Sequence, residues 1–270
     1  MHQASPPPLT AERDLALALC KIARAAGAVI MNHYQGEIDV MLKSDASPVT
    51  LADQEANDLI VSELKKLTPH IPIIAEESVT SDEDHVTTAQ AAREFWLVDP
   101  LDGTKEFIKK NGDFTVNIAL IREGAPYLGV VYPPTQNYCY LALGPHEAVL
   151  QHADGVLEPI SARAVRWDEP TIMVSRSHRA AETDAYLAQF ERYHEASRGS
   201  SLKLCLIARG EADLYPRHSR TMEWDIAAGH AILSAAGGAV STLDGSPLRY
   251  GKPHLINPHF IASGMRSTEP

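Results

Sequence analysis

The chain has 270 residues, 44% hydrophobic and 22% charged, with a formal net charge of -11 at pH 7. That length buries a real core in one large domain or two modest ones, and the composition is that of an ordinary soluble globular protein. The acidic balance argues against nucleic-acid polymers and anionic membrane surfaces as partners.

Met1 to Thr10, MHQASPPPLT, is a Pro-rich tail without the basic and apolar regions of a secretory signal. No apolar run approaches the ~20 residues of a membrane span, so the expected location is cytoplasmic, with at most peripheral attachment to a membrane face. Cys20, Cys139 and Cys205 are scattered, with no CxxC pair. They suggest neither a disulfide framework nor a zinc site and make a reducing compartment the default.

Thr10 reads as a helix cap ahead of Leu15, Leu19, Ile22, Ala26, Val29 and Ile30 at helical spacing. A second helix starts near Ser47-Pro48-Val49-Thr50, with Asp53 in capping-box position and Ala56, Leu59, Ile60, Leu64 and Leu67 on its apolar face. Short strands are expected at residues 71–75, 95–98, 115–121, 127–132 and 138–143, punctuated by Gly124, Gly129, Pro133, Pro134 and Gly144. Beyond about residue 160 the pattern alternates: a strand at 171–175, helices at 181–193, 202–209 and 224–236, and Gly237-Gly238 as a stop. The reading is α/β (α+β), with two α/β units sharing a cleft. The N-terminal unit is placed at 1–160 and the C-terminal unit at 161–270.

Three acidic segments carry the chemistry. In Phe95-Trp96-Leu97-Val98-Asp99-Pro100-Leu101-Asp102-Gly103-Thr104, a buried strand ends in two carboxylates separated by a turn. Such a turn aims both carboxylates and the Leu101 carbonyl into one space. Gly103 permits close backbone approach, and the start of a helix at Thr104 offers amides to an anion. Hard divalent cations take oxygen donors of this kind, and they would supply the positive charge that an acidic protein lacks. Taken alone, the segment is also consistent with an Asx-turn. Glu76-Glu77 after an apolar strand is, by itself, a solvated loop. In Trp224-Asp225-Ile226-Ala227-Ala228-Gly229 the carboxylate would stabilise a helix dipole, while the small residues suit close packing against another backbone.

Together, in this order, these segments resemble the signatures of the inositol monophosphatase superfamily, over residues 43 to about 257. Lys43-Ser44-Asp45-Ala46-Ser47-Pro48-Val49-Thr50 and the stretch from Trp96 to Asn117 further resemble its bacterial 3'(2'),5'-bisphosphate nucleotidases of the CysQ type. The resemblance implies a layered α-β-α-β-α sandwich of the sugar-phosphatase type, with the active site between the two units. It implies two or three magnesium ions on Glu76, Asp99, Asp102, Asp225 and the Leu101 carbonyl, with Asp99 bridging and Glu77 excluded. It makes Asp53 and Thr104 the pair that orients an attacking water. Direct hydrolysis is expected, since no motif holds a Cys or His suited as nucleophile.

The substrate is expected to be a small phosphate ester. Ser175-Arg176-Ser177-His178 follows a strand, Gly199-Ser200-Ser201-Leu202-Lys203 opens a helix, and Tyr215-Pro216-Arg217 follows a short strand-like stretch, Ala212 to Leu214. A cation in a first turn opposes the helix dipole, which favours a ligand role for Lys203. His178 could equally cap the following helix, and Arg176 or Arg217 alone could be surface charges. By resemblance His178, Ser200, Lys203 and Arg217 contact a nucleotide, and Asp102, Gly103, Thr104 and Asp225 the phosphate end. The expected substrate is 3'-phosphoadenosine 5'-phosphate, with its sulfated precursor as a further candidate. Inositol or fructose phosphates are the alternative, and a non-catalytic metal-dependent sensor is a third reading, disfavoured by retention of Asp53 and Thr104. A homodimer is compatible with the sequence and not specified by it.

Overall fold

The structure, a computed structural model, describes residues 11–36, 40–42, 48–79, 87, 91–177 and 179–265. The expected cap at Thr10, most of the Lys43–Thr50 motif and His178 lie outside the described residues.

Helix α1 (Ala11–Gln35) buries Ala16, Leu19, Ala23, Ala26 and Ile30, and α2 (Leu51–Leu67) buries Ala52, Ala56, Ile60 and Leu64. Each set recurs every three or four residues, so each helix presents one apolar stripe. The short strands β1 (Val40–Leu42) and β2 (Pro48–Thr50) form a hairpin before α2, which therefore starts at Leu51.

The stripes cover one face of a seven-stranded sheet in sequence order: β3 (Ile73–Ala75), β4 (Glu94–Asp102), β5 (Thr115–Arg122), β6 (Ala125–Tyr132), β7 (Tyr138–Ala142), β8 (Ala148–His152) and β9 (Leu157–Pro159). Trp96, Val98, Ile118 and Leu120 meet α1 and α2. Their strand neighbours Phe95, Leu97, Ala119 and Ile121 face the other way, onto α5 (Leu202–Ala208) and α6 (Glu223–Ala235). The period-two alternation therefore separates two cores, one on each face.

A second sheet closes over α5 and α6. Its order is β11 (His194–Arg198), β10 (Thr171–Ser175), β12 (Leu214–Arg217), β14 (Phe260–Ser263) and β13 (Ala239–Thr242). Met173, Tyr215, Val240 and Phe260 join the central core, while Ile172, Val174 and Leu214 pack outward with Leu187 of α4 (Ala181–Leu187). The five layers are α-β-α-β-α, as expected. Among the described residues no helix is long and apolar enough to cross a membrane.

Two expectations need correction. The helix expected over 181–193 ends at Leu187, because the chain bends and returns Phe190 to the outer core. The residues after it form β11, an edge strand whose sequence, His194 to Arg198, is too polar to announce itself. The strand expected over 212–214 begins only at Leu214, since Asp213 is a buried anchor for Arg163, at 2.7 Å.

Between the sheets, every residue of α6 except Asp225 and Ser234 is buried. It can lie that deep because its neighbours are small. A Cβ on Gly129 of β6 would stand 2.5 Å from the Ala228 carbonyl oxygen, and one on Gly229 would stand 2.7 Å from Leu204. The helix ends in a Schellman motif: Gly238 N–H donates to the Leu233 carbonyl and Gly237 takes the left-handed conformation, φ 93°. Gly129→Val should destabilise the protein by roughly 1–3 kcal/mol or more, through overpacking against α6. A denaturant midpoint unchanged from wild type would show that β6 and α6 do not meet so closely.

Candidate active site

Between Asp99 and Asp102, β4 carries an extra residue. Asp99 pairs with Asn117 and Asp102 with Thr115, so Pro100 and Leu101 together oppose the single residue Val116. Residues three apart on a regular strand point to opposite faces; this bulge puts both carboxylates on the face that looks toward α5 and α6. Asp99 accepts a hydrogen bond from the Leu101 N–H at 3.1 Å, the Asx-type contact that shapes the turn. The strand thus runs through the motif to Asp102 instead of ending at Val98. Gly103 follows in the left-handed region at φ 94°, and α3 (Thr104–Ile108) begins at once.

The sequence-predicted pair comes together. Thr104 Oγ1 donates to Asp53 Oδ1 at 3.2 Å and also lies 3.3 Å from the Leu101 carbonyl. The other carboxylate oxygen of Asp53 accepts the Thr50 N–H at 2.7 Å and the Thr50 hydroxyl at 2.6 Å. Asp53 is therefore both the expected capping residue and the partner of Thr104. Burial raises its pKa, the Thr50 and Thr104 hydrogen bonds oppose that rise, and Glu76 adds to it.

Asp225 stands at the same helical position in α6 as Asp53 in α2, accepting the N–H of Met222 at 2.9 Å. Glu76 starts a 3-10 turn directly after β3, whose Ala75 pairs with Val98 beside Asp99. The carboxylates feel one another. Burial pushes Asp102 up to about 6; the Lys203 ammonium and the Ser201 amide pull it down, and Glu76 raises it again. Asp225 is held well above its ordinary value by burial, by Asp102 and by Glu76. Both keep partial contact with solvent, so a cation can reach them.

Among the described residues no group of three or more His, Cys, Asp or Glu side chains is drawn together tightly enough to hold an ion as it stands. Asp53, Asp102 and Asp225 each lend an oxygen to a backbone amide instead. The donors at this edge are all oxygens, with no thiolate or imidazole among the predicted ligands. That chemistry fits a hard cation such as magnesium and not zinc.

On the facing side, Lys203 is 4% and Arg217 8% exposed, unusually deep for cations. The Lys203 ammonium donates to the Ser200 carbonyl, and to that of Arg198 at 3.3 Å. Burial and then Arg217 lower its pKa to about 8, against the raising effect of Asp102. Ser200 is held at φ 50°, a strained conformation for a serine. Its hydroxyl and the Arg217 Nε are buried with no hydrogen-bond partner among the described residues. Arg176, by contrast, is tied into an ion pair with Asp113 at 2.8 Å.

The motif reading assigned no site role to Asn117, Thr115 or Ser201. Ser201 N–H donates to Asp102 at 2.6 Å, and its hydroxyl donates to Asn117 at 2.8 Å and contacts Thr115 at 2.9 Å. This buried network joins the Asp99–Asp102 motif to the start of α5. Glu223 was also missed: it is fully buried and accepts the N–H groups of Gly251 and Lys252 at 2.8 and 2.9 Å, fixing a turn against the start of α6. Its only sequence signal was an acid two residues before Asp225.

The sequence profile of the inositol monophosphatase family matches residues 12–267. Over 248 residues the chain is 47% identical to the protein named 3'(2'),5'-bisphosphate nucleotidase CysQ in Escherichia coli O157:H7, covering 91% of this chain and 98% of that one. It is 42% identical over 252 residues to the protein of that name in Buchnera aphidicola, covering 92% of each. Among solved structures, CysQ from Bacteroides thetaiotaomicron, a bacterial member of the inositol monophosphatase family, superposes with a TM-score of 0.82 at 37% identity, covering 94% of this chain and 98% of that one. The inositol monophosphatase of Thermotoga maritima gives 0.74 at 26% identity, with 93% and 92% covered.

Crowded buried carboxylates repel, and a cation bound among them stabilises the folded state by mass action. Magnesium should therefore raise the melting temperature of wild type, by about 2–4 °C for each kcal/mol of stabilisation. Asp225→Asn should melt higher than wild type in chelator and gain less from magnesium. A wild-type melting temperature indifferent to magnesium would count against a cation site here.

Proposed function

Since this chain belongs to the inositol monophosphatase family, we propose that it is a 3'(2'),5'-bisphosphate nucleotidase, hydrolysing 3'-phosphoadenosine 5'-phosphate to AMP and phosphate. The observation that carries the substrate is the pair of buried cations, Lys203 and Arg217, beside two polar atoms, Ser200 Oγ and Arg217 Nε, that have no partner among the described residues. Two cations buried close enough for one to lower the pKa of the other suit an anion between them. A substrate with a second phosphate provides it, and an inositol monophosphate does not.

In this reading residues 1–160 supply most of the metal donors and residues 161–270 supply Asp225 and the nucleotide contacts. Magnesium is assigned to Glu76, Asp99, Asp102, Asp225 and the Leu101 carbonyl, where it supplies Lewis-acid polarisation of the phosphoryl group. The Thr104 hydroxyl spends its proton on Asp53, which leaves an oxygen lone pair to accept from a water and aim it. The backbone at Gly103 and Thr104, which starts α3, takes the reacting phosphate. Lys203 and Arg217 take the second phosphate, and Ser200 adds a hydroxyl. His178, carried from the sequence motif, is assigned to the nucleotide. A sensor that only bound its ligand would have no use for the Asp53–Thr104 pair.

Lys203→Ala or Arg217→Ala should lower kcat/KM for the bisphosphate nucleotide by roughly ten- to a hundredfold, as expected for loss of a charged hydrogen bond. Hydrolysis of inositol monophosphate should change by only a few-fold. Equal losses on both substrates, at fixed ionic strength, would remove the nucleotide assignment.

Thr104→Ala should reduce kcat far more than it weakens magnesium binding. Combined with Asp53→Asn it should cost little beyond either single change, because the two act as a unit. Additive losses would separate them.

A further inference from the structure

Two carboxylates outside the metal set, Asp113 and Glu106, reach across to the loops that carry the substrate contacts. Asp113 Oδ2 accepts the Gly199 N–H at 3.0 Å and pairs with Arg176 at 2.8 Å. Glu106, 5% exposed, accepts the Ser177 hydroxyl at 2.5 Å. The approach is close at backbone level too: a Cβ on Gly199 would lie 2.7 Å from the Asp113 carbonyl oxygen and 2.8 Å from Glu106 Cγ. Asp113 is itself held by a tight turn in which Lys110 and Gly112 are left-handed and the Asn111 side chain accepts the Asp113 N–H at 3.0 Å.

Both carboxylates come from the segment that follows the Asp99–Asp102 motif, and both loops belong to the second half of the chain. The loop starting at Gly199 contains Ser200, Ser201 and Lys203; the loop with Arg176 and Ser177 leads to His178. A rigid tie between them fixes the distance from the reacting phosphate to the second phosphate. We propose that Asp113 is the principal positioning residue for the nucleotide side of the substrate, with Glu106 assisting: it clasps the 176–177 and 199–203 loops to the metal-bearing segment. This rests on the nucleotidase reading for its kinetic consequence, though not for the clasp itself.

The test has a readout for each. Hydrogen exchange of the folded protein measures the clasp directly, because the Gly199 amide donates to Asp113. In Asp113→Ala the Gly199 amide should exchange about tenfold faster or more, as for loss of a charge-assisted hydrogen bond. In steady-state assays the same variant should raise KM for 3'-phosphoadenosine 5'-phosphate about tenfold, with kcat within about threefold. Its kcat/KM on inositol monophosphate should stay within about threefold of wild type, Asp113→Glu should recover part of the KM, and Gly199→Ala should mimic the defect. If Asp113→Ala fails to fold, Asp113→Asn and Arg176→Ala carry the same comparison. Unchanged exchange at Gly199, or equal losses on both substrates with KM unaltered, overturns the clasp. A wild type that shows no preference for the bisphosphate nucleotide overturns the nucleotidase reading instead, and the exchange result still decides the clasp.

Discussion

Asp99 and Asp102 stand on one face of the first sheet only because β4 has two residues where β5 has one. The rest of the site is arranged around that irregularity. It keeps both carboxylates away from α1 and α2 and turns them toward α6, where Asp225 waits, and toward α5, whose preceding residue Ser201 donates to Asp102. Leu101, one of the two residues between them, drops into the opposite core and locks the bulge in place. A shift of register by one residue would bury the acids among alkyl groups and expose Leu101.

Concentrating acids at one edge has an electrostatic cost, and the fold offsets it with helix termini. Asp53 and Asp225 sit in the first turns of α2 and α6, each accepting the N–H of the residue that caps its own helix. Anions at helix N-termini are stabilised by unpaired amides and by the helix dipole. Two helices from opposite sides of the sheet therefore end at the same place. Burial, with the remaining repulsion added to it, raises Asp102 and Asp225 above ordinary carboxylates.

Local chemistry was legible in the sequence and distant pairing was not. The Asp53 cap, the Gly237-Gly238 stop and the strand-to-turn character of the Asp99–Asp102 motif each depend on neighbours a few residues away, and each announces itself in residue type and spacing. The five-layer order and the ligand roles came from resemblance to a family; no helical or strand period encodes them. What stayed hidden depends on residues remote in the chain: Ser201 beneath Asp102, Glu223 holding the 251–252 turn, and Asp113 and Glu106 across from Gly199 and Ser177. A serine or a surface-type acid carries no mark of its partner a hundred residues away. β11 was invisible for a different reason, since an edge strand needs no hydrophobic alternation when little of it is buried.

The depth of α6 has a consequence for how the chain is made. All seven strands of its first floor are complete by Pro159, well before α6 is synthesised, so one side of the helix can dock as soon as it leaves the ribosome. Its other side faces Val240, Phe260 and Ala262, which follow it in the chain. Until those strands arrive, a helix buried nearly all the way round has one flank open to solvent. The interval between the appearance of α6 and that of β14 is thus the one in which this flank is exposed. A free chain truncated just short of Phe260 should bind a hydrophobic dye more strongly than the 270-residue chain.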